Sequence, residues 1–75
     1  MKEQKTGDEL VDMMVGMALQ TEKCQTVTKN SIFVHRSSEP HTNWAYGTNT
    51  QISEKCRLEL DRICGELRLR YDLKT

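Results

Sequence analysis

Hydrophobic and polar positions follow two rhythms along this chain. From Leu10 to Leu19 the run Leu-Val-Asp-Met-Met-Val-Gly-Met-Ala-Leu is apolar except at Asp12 and Gly16. Those two positions lie four apart and Gln20 continues their row, so a helix here carries one narrow polar stripe and is apolar on its other sides. Upstream, Thr6-Gly7-Asp8-Glu9 has the form of a capping box, with Thr6 accepting from the amide of residue 9 and Glu9 reaching back. The pattern predicts a first helix over about Gly7 to Lys23. Gly16 inside it costs about 1 kcal/mol relative to alanine. Met1 to Lys5 is polar and reads as a frayed terminus.

The helical rhythm then gives way to short runs rich in strand formers. Ile32-Phe33-Val34-His35-Arg36 reads as a strand with Ile32, Val34 and Arg36 on one face and Phe33 and His35 on the other. Ser37 to Thr42 is a loop by composition, and Pro40 turns Glu39 away from helix. Asn43-Trp44-Ala45-Tyr46 predicts a second strand, with Trp44 and Tyr46 sharing a face, and Gly47 to Thr50 ends it. From Ser53 to Tyr71 the helical period returns: Cys56, Leu60, Ile63, Leu67 and Tyr71 form one stripe. Thr50 or Ser53 can serve as its N-cap. Lys55–Glu59, Arg62–Glu66 and Glu66–Arg70 are spaced to pair along its outer face.

The order α-β-β-α predicts an α+β fold: one small domain over residues 1–75, two helices packed on an antiparallel hairpin. A lone hairpin is marginal in water. Two copies setting their hairpins edge to edge would give a four-stranded sheet with helices against it; packing first helix on first helix is the alternative. The first helix also has more apolar surface than one stripe of the second can cover. Val11, Met13, Val15 and Leu19 are therefore the expected partner contacts, joined by Arg36 and His41 on the hairpin and its loop. That points to a homo-oligomer, a dimer, or another protein partner.

Composition sharpens this in three ways. A chain of 75 residues with 36% hydrophobic content sits near the lower limit for a self-sufficient core, which again favours assembly or a covalent staple. Eleven basic residues against eleven acidic ones leave a formal net charge of zero, with no basic block to mark a nucleic-acid or lipid surface. The apolar run is too short to span a bilayer, and Asp8 and Glu9 stand where an export signal would be positive, so no membrane segment and a cytoplasmic location are expected.

Candidate chemistry is sparse. Cys24, Cys56 and Cys64 are an odd number, and the latter two are about 12 Å apart on one helix, too far for a disulfide; the simplest expectation is three reduced, inert thiols in a reducing compartment. Neither a CxxC pair nor any other metal-ligand spacing is present, so no metal or cofactor is expected. The carboxylates Glu59 and Asp61 diverge on their helix, and no glycine loop can cradle a phosphate. No catalytic residue is assigned, and the expectation is not an enzyme. Arg36, His41, Trp44 and Tyr46 combine basic and aromatic groups as single-strand binders do. Trp44 and Tyr46 are better read as the bulk that holds two helices to a hairpin.

Asn43-Trp44 and the ending Leu67-Arg68-Leu69-Arg70-Tyr71-Asp72-Leu73 together resemble short uncharacterised bacterial and phage proteins, in which an Asn-Trp strand precedes a terminal helix closing on Tyr-Asp-Leu. The resemblance spans roughly the second half of the chain and implies a bacterial or phage source. It brings no activity, cofactor or site residue. The functional expectation is a non-enzymatic interaction or regulatory module, for instance an inhibitor of a host protein. A nucleic-acid binder using the hairpin is the alternative, and a cysteine- or metal-dependent enzyme ranks last.

Overall fold

The computed structural model describes residues 2–74. Its elements are β1 (Glu3–Lys5), α1 (Gly7–Ala18), a 3₁₀ turn (Glu22–Cys24), β2 (Ile32–Arg36), β3 (Trp44–Thr48), α2 (Glu54–Arg70) and β4 (Tyr71–Leu73). The fold is α+β, two helices against an antiparallel hairpin as the pattern predicts, with one addition. β1 and β4 pair in parallel, Glu3 opposite Tyr71 and Lys5 opposite Leu73, so the two ends of the chain form a second small sheet. The fraying expected over residues 1–5 is thus corrected for Glu3–Lys5; Met1 lies outside the described residues. Lys74 N–H donates to Lys5 C=O at 2.7 Å and closes the ladder.

α1 starts where its capping box puts it. The Thr6 hydroxyl accepts from Glu9 N–H at 3.1 Å, and the Glu9 carboxylate accepts from Thr6 N–H at 3.1 Å. Those bonds to the charged form hold the Glu9 carboxyl below the usual range, the Thr6 backbone bond first among the causes. The helix ends at Ala18, five residues before the expected Lys23. Thr21 N–H and hydroxyl both donate to Ala18 C=O at 3.0 Å, and the Gln25 amide reaches the carbonyls of Leu19 and Thr21. With Leu19 N–H on Val15 C=O and Gln20 N–H on Met17 C=O, three of the last carbonyls of the helix find partners without another helical turn.

Leu10, Met14 and Ala18 are fully buried on α1, as are Leu60 and Ile63 on α2. α1 packs against both α2 and β2, so Val11 and Val15 also lie inside the core. α2 is capped by Ser53, whose hydroxyl accepts from Cys56 N–H at 3.3 Å. On its outer face Arg62 bridges Glu59 (3.0 Å) and Glu66 (2.9 Å). Lys23 approaches the same Glu59 at 3.5 Å. Tyr71, expected as the last position of the helical stripe, is instead the first residue of β4.

One staple corrects the reading of the cysteines. Cys24, at the end of the 3₁₀ turn, and Cys56, in the first turns of α2, form a disulfide with Cα atoms 4.9 Å apart. Spacing within α2 spoke only to Cys56 and Cys64, whereas the turn after α1 folds back and delivers Cys24. The expectation of three reduced thiols fails, and with it the premise from which a reducing compartment was argued. Cys64 is the free thiol and is buried.

Candidate functional site

Each sheet edge in the molecule has a different fate, and the difference locates the candidate site. β4 has β1 on one side. On its other side the Asn43 side chain acts as a substitute strand: its amide donates to Leu73 C=O at 2.9 Å and its carbonyl accepts from Leu73 N–H at 2.8 Å. Trp44 completes that clamp, its indole N–H donating to Tyr71 C=O at 3.0 Å while the ring is fully buried. β1 is only three residues long, Glu-Gln-Lys, and its charged ends blunt it against further pairing.

β3 is closed in a different way. Trp44 N–H points to the Thr42 hydroxyl at 3.4 Å. The Tyr46 phenol hydrogen-bonds to the Asp61 carboxylate on α2. Burial, and then that bond to a carboxylate, push the phenol pKa well above its ordinary value. The Tyr46 backbone amide faces the Cys64 thiol, whose pKa burial pushes up to about 11. A buried, protonated thiol against a strand edge is a packing group and an unreactive one.

β2 is the edge left open. Asn49 N–H donates to Ser31 C=O at 2.8 Å and Ser37 N–H to Asn43 C=O at 3.0 Å, bracketing the hairpin ladder. With Ile32 opposite Thr48 and Arg36 opposite Trp44, the odd-numbered residues bond across to β3. The backbone groups of Ile32, Val34 and Arg36 therefore point away from β3. Among the described residues, the Val34 N–H and C=O and the Arg36 N–H have no hydrogen-bond partner; Arg36 C=O has the His35 ring nitrogen at 2.9 Å. Ile32 is buried, whereas Val34 is half-buried and Arg36 exposed.

That edge borders a groove of about 580 Å³ between β2 and the first turns of α1. Asp8, Val11 and Asp12 line one wall, Ile32 to Val34 the other, and Lys29 and Asn30 one end. Lys29 pairs with Asp12 at 3.0 Å, while Asp8 has no ion pair among the described residues. On the opposite face of the sheet the Phe33 ring lies over Gly47, where an added Cβ would overlap it, and beside His35 at 5.7 Å between ring centroids. Phe33 keeps 40% of its surface exposed.

The expected contact residues do not gather into one patch. Val11 and Val15 are buried within the chain, so neither presents an apolar row to a partner; Val11 retains only its share of the groove wall. Met13 is half-buried against the core and Leu19 is exposed. Arg36 is exposed at the end of the open edge, and His41 is exposed in the loop after it. His41 C=O takes a hydrogen bond from the Lys2 ammonium, away from the groove. Of the six, Val11 and Arg36 belong to the candidate site. Phe33 and Val34 also line the groove and were not singled out from the sequence; the signal available for them was a short strand with an apolar residue on each face.

Among the described residues no group of three or more histidine, cysteine or acidic side chains is placed to hold a metal ion. No helix among them is long and apolar enough to cross a membrane. No family model, no curated protein and no solved structure matches this chain.

Proposed function

We propose that this chain is a non-enzymatic protein-interaction module, a small regulator or inhibitor that takes up an extended polypeptide along the open edge of β2. The observation that carries the reading is the unpaired N–H and C=O of Val34 and the unpaired N–H of Arg36 beside the α1–β2 groove. Main-chain hydrogen bonds along such an edge supply affinity, and a neighbouring groove supplies selectivity for alternate side chains. The thiols support the non-enzymatic part: two are joined, and the third is buried with a raised pKa. The hairpin is a poor stacking platform for nucleic acid, because Trp44 is fully buried.

The test is selection of extended peptides from a displayed library, with binding then compared on a Val34→Pro variant. Proline there removes a donor that points away from β3, so the hairpin ladder keeps its bonds. Binding should weaken about tenfold, the loss of one hydrogen bond plus ring interference. A synthetic chain methylated at the Val34 nitrogen keeps the valine side chain and should weaken binding in the same sense. Peptides that bind wild type and both edge-blocked chains equally, or a library that yields no binders, would overturn the reading.

A further inference from the structure

We infer that the strand taken up by the β2 edge is β2 of a second copy of this chain, giving a four-stranded sheet β3-β2-β2-β3; this rests on the open-edge reading above. The register follows from accessibility. Val34 and Arg36 are the β2 residues whose outward backbone groups lie on surface that is not fully buried, since Ile32 is 2% exposed. Antiparallel pairing uses both by setting Val34 opposite Arg36 of the other copy, and Arg36 opposite Val34, around a twofold axis at His35. Each pair exchanges two N–H···O=C bonds. Such a contact is isologous and closes at two copies.

Charge selects a copy of this chain over an arbitrary strand. In an antiparallel pair, residues opposite one another lie on the same face of the sheet. The incoming Arg36 side chain therefore enters on the helix-facing side beside Val34, where Asp8 and Asp12 line the groove. Arg36 has no ion pair within its own chain among the described residues, and Asp8 has none either. The twofold axis forms the Arg36-to-acidic-wall contact twice. On the other face His35 meets its symmetry mate, with Phe33 alongside adding apolar contact. Zero net charge means no long-range repulsion between copies.

Sedimentation velocity and native mass spectrometry on the full chain test this, using Arg36→Asp, Asp8→Arg and their equimolar mixture. Wild type should show a monomer–dimer equilibrium with a dissociation constant on the order of 100 µM or tighter, as for a small interface. Each variant alone places like charges together twice and should weaken the dimer about tenfold or more. In the mixture one contact regains opposite charges with their positions exchanged, and the other is native, so a heterodimer should form more tightly than either variant alone. Both substituted positions are exposed, so circular dichroism should match wild type. At monomeric concentration the unfolding curve should match for Arg36→Asp and shift only slightly to lower denaturant for Asp8→Arg, which removes an acidic group from the first turn of α1. A wild type that stays monomeric at 500 µM (about five times the expected constant) would overturn self-pairing while leaving the peptide result to judge the module. A dimer unmoved by either charge reversal, or a mixture without rescue, would overturn this register.

Discussion

The sheet at the chain ends and the hairpin are both two-stranded, yet the outer edges of β4 and β2 have opposite fates. Around Tyr71–Leu73 the Tyr71 N–H donates to Leu67 C=O, and the other backbone groups are met by the Asn43 amide, the Trp44 indole or β1. Along Ile32–Arg36 the outward groups are left beside a groove. An edge closed by buried side chains makes stability depend on those side chains. An edge left open adds little to the stability of the isolated chain and keeps its hydrogen bonds for association. Substitutions in the closed corner should therefore lower stability, and substitutions on the open edge should lower binding.

The largest effect should come from Trp44→Ala. The ring is fully buried and its N–H holds the Tyr71 carbonyl, so truncation leaves both a cavity and an unpaired acceptor. A loss of about 3–5 kcal/mol is expected from denaturant unfolding. The native emission of Trp44 should be blue-shifted. A solvent-like emission maximum with unchanged stability would remove the distinction between the two regions.

Reduction of Cys24–Cys56, or the Cys24→Ala/Cys56→Ala pair, comes next. The bridge spans a sequence separation of 32 and constrains the unfolded chain, so its loss should cost about 2–4 kcal/mol. Equal unfolding midpoints with and without reductant would show that the staple contributes nothing. Asn43→Ala follows, at about 1–3 kcal/mol, because it strands both backbone groups of Leu73. Hydrogen exchange at the Leu73 amide should accelerate in that variant, while exchange in the β2–β3 ladder stays near wild type.

Which parts of this are legible in the sequence depends on how far each signal reaches along the chain. β2 is legible residue for residue, because a short run of β-branched and aromatic residues between polar segments has one economical reading. The capping box at Thr6 and Glu9 is local and equally plain. β1 and β4 are not: Glu-Gln-Lys and Tyr-Asp-Leu are three residues each, too short to establish a period, and they pair because α2 returns the chain to its start. Tyr71 fits the α2 stripe by spacing while its backbone belongs to the next element. The disulfide is invisible for the same reason, since no spacing rule relates Cys24 to Cys56. Val11 and Val15 are expected outside when only α2 is counted as cover, and β2 covers them as well.

A pH experiment sharpens the contrast at β3, whose edge is closed by Cys64. The thiol's folded pKa of about 11 lies above its ordinary value of 9.0 because it is buried. The folded chain thus keeps the proton through a range in which the unfolded chain releases it. The stability this group contributes is fully present below pH 9 and is lost as pH rises toward 11. Cys64→Ala should flatten that part of the stability profile. Alkylation of native protein at pH 8 should be slow. A wild-type profile that matches Cys64→Ala over the interval, together with rapid alkylation, would place the thiol at the surface and reopen the β3 edge.

The smallest effect on folding, and the sharpest on the comparison, belongs to Phe33→Ser. Phe33 is the large apolar ring on the uncovered face of the hairpin, resting on Gly47 and keeping 40% of its surface in water. Removing a ring already that exposed should cost at most about 1 kcal/mol of stability, close to what surface substitutions usually cost. If the β2 edge binds a strand, the same ring lies at the margin of that contact and shields the new hydrogen bonds from water. Its removal should then weaken peptide binding or self-association by more than it weakens folding. Paired measurements on one variant, urea unfolding and binding, decide the matter. A stability loss as large as that of Trp44→Ala would make Phe33 a core residue and the open face an illusion. Unchanged binding would move the contact off this edge.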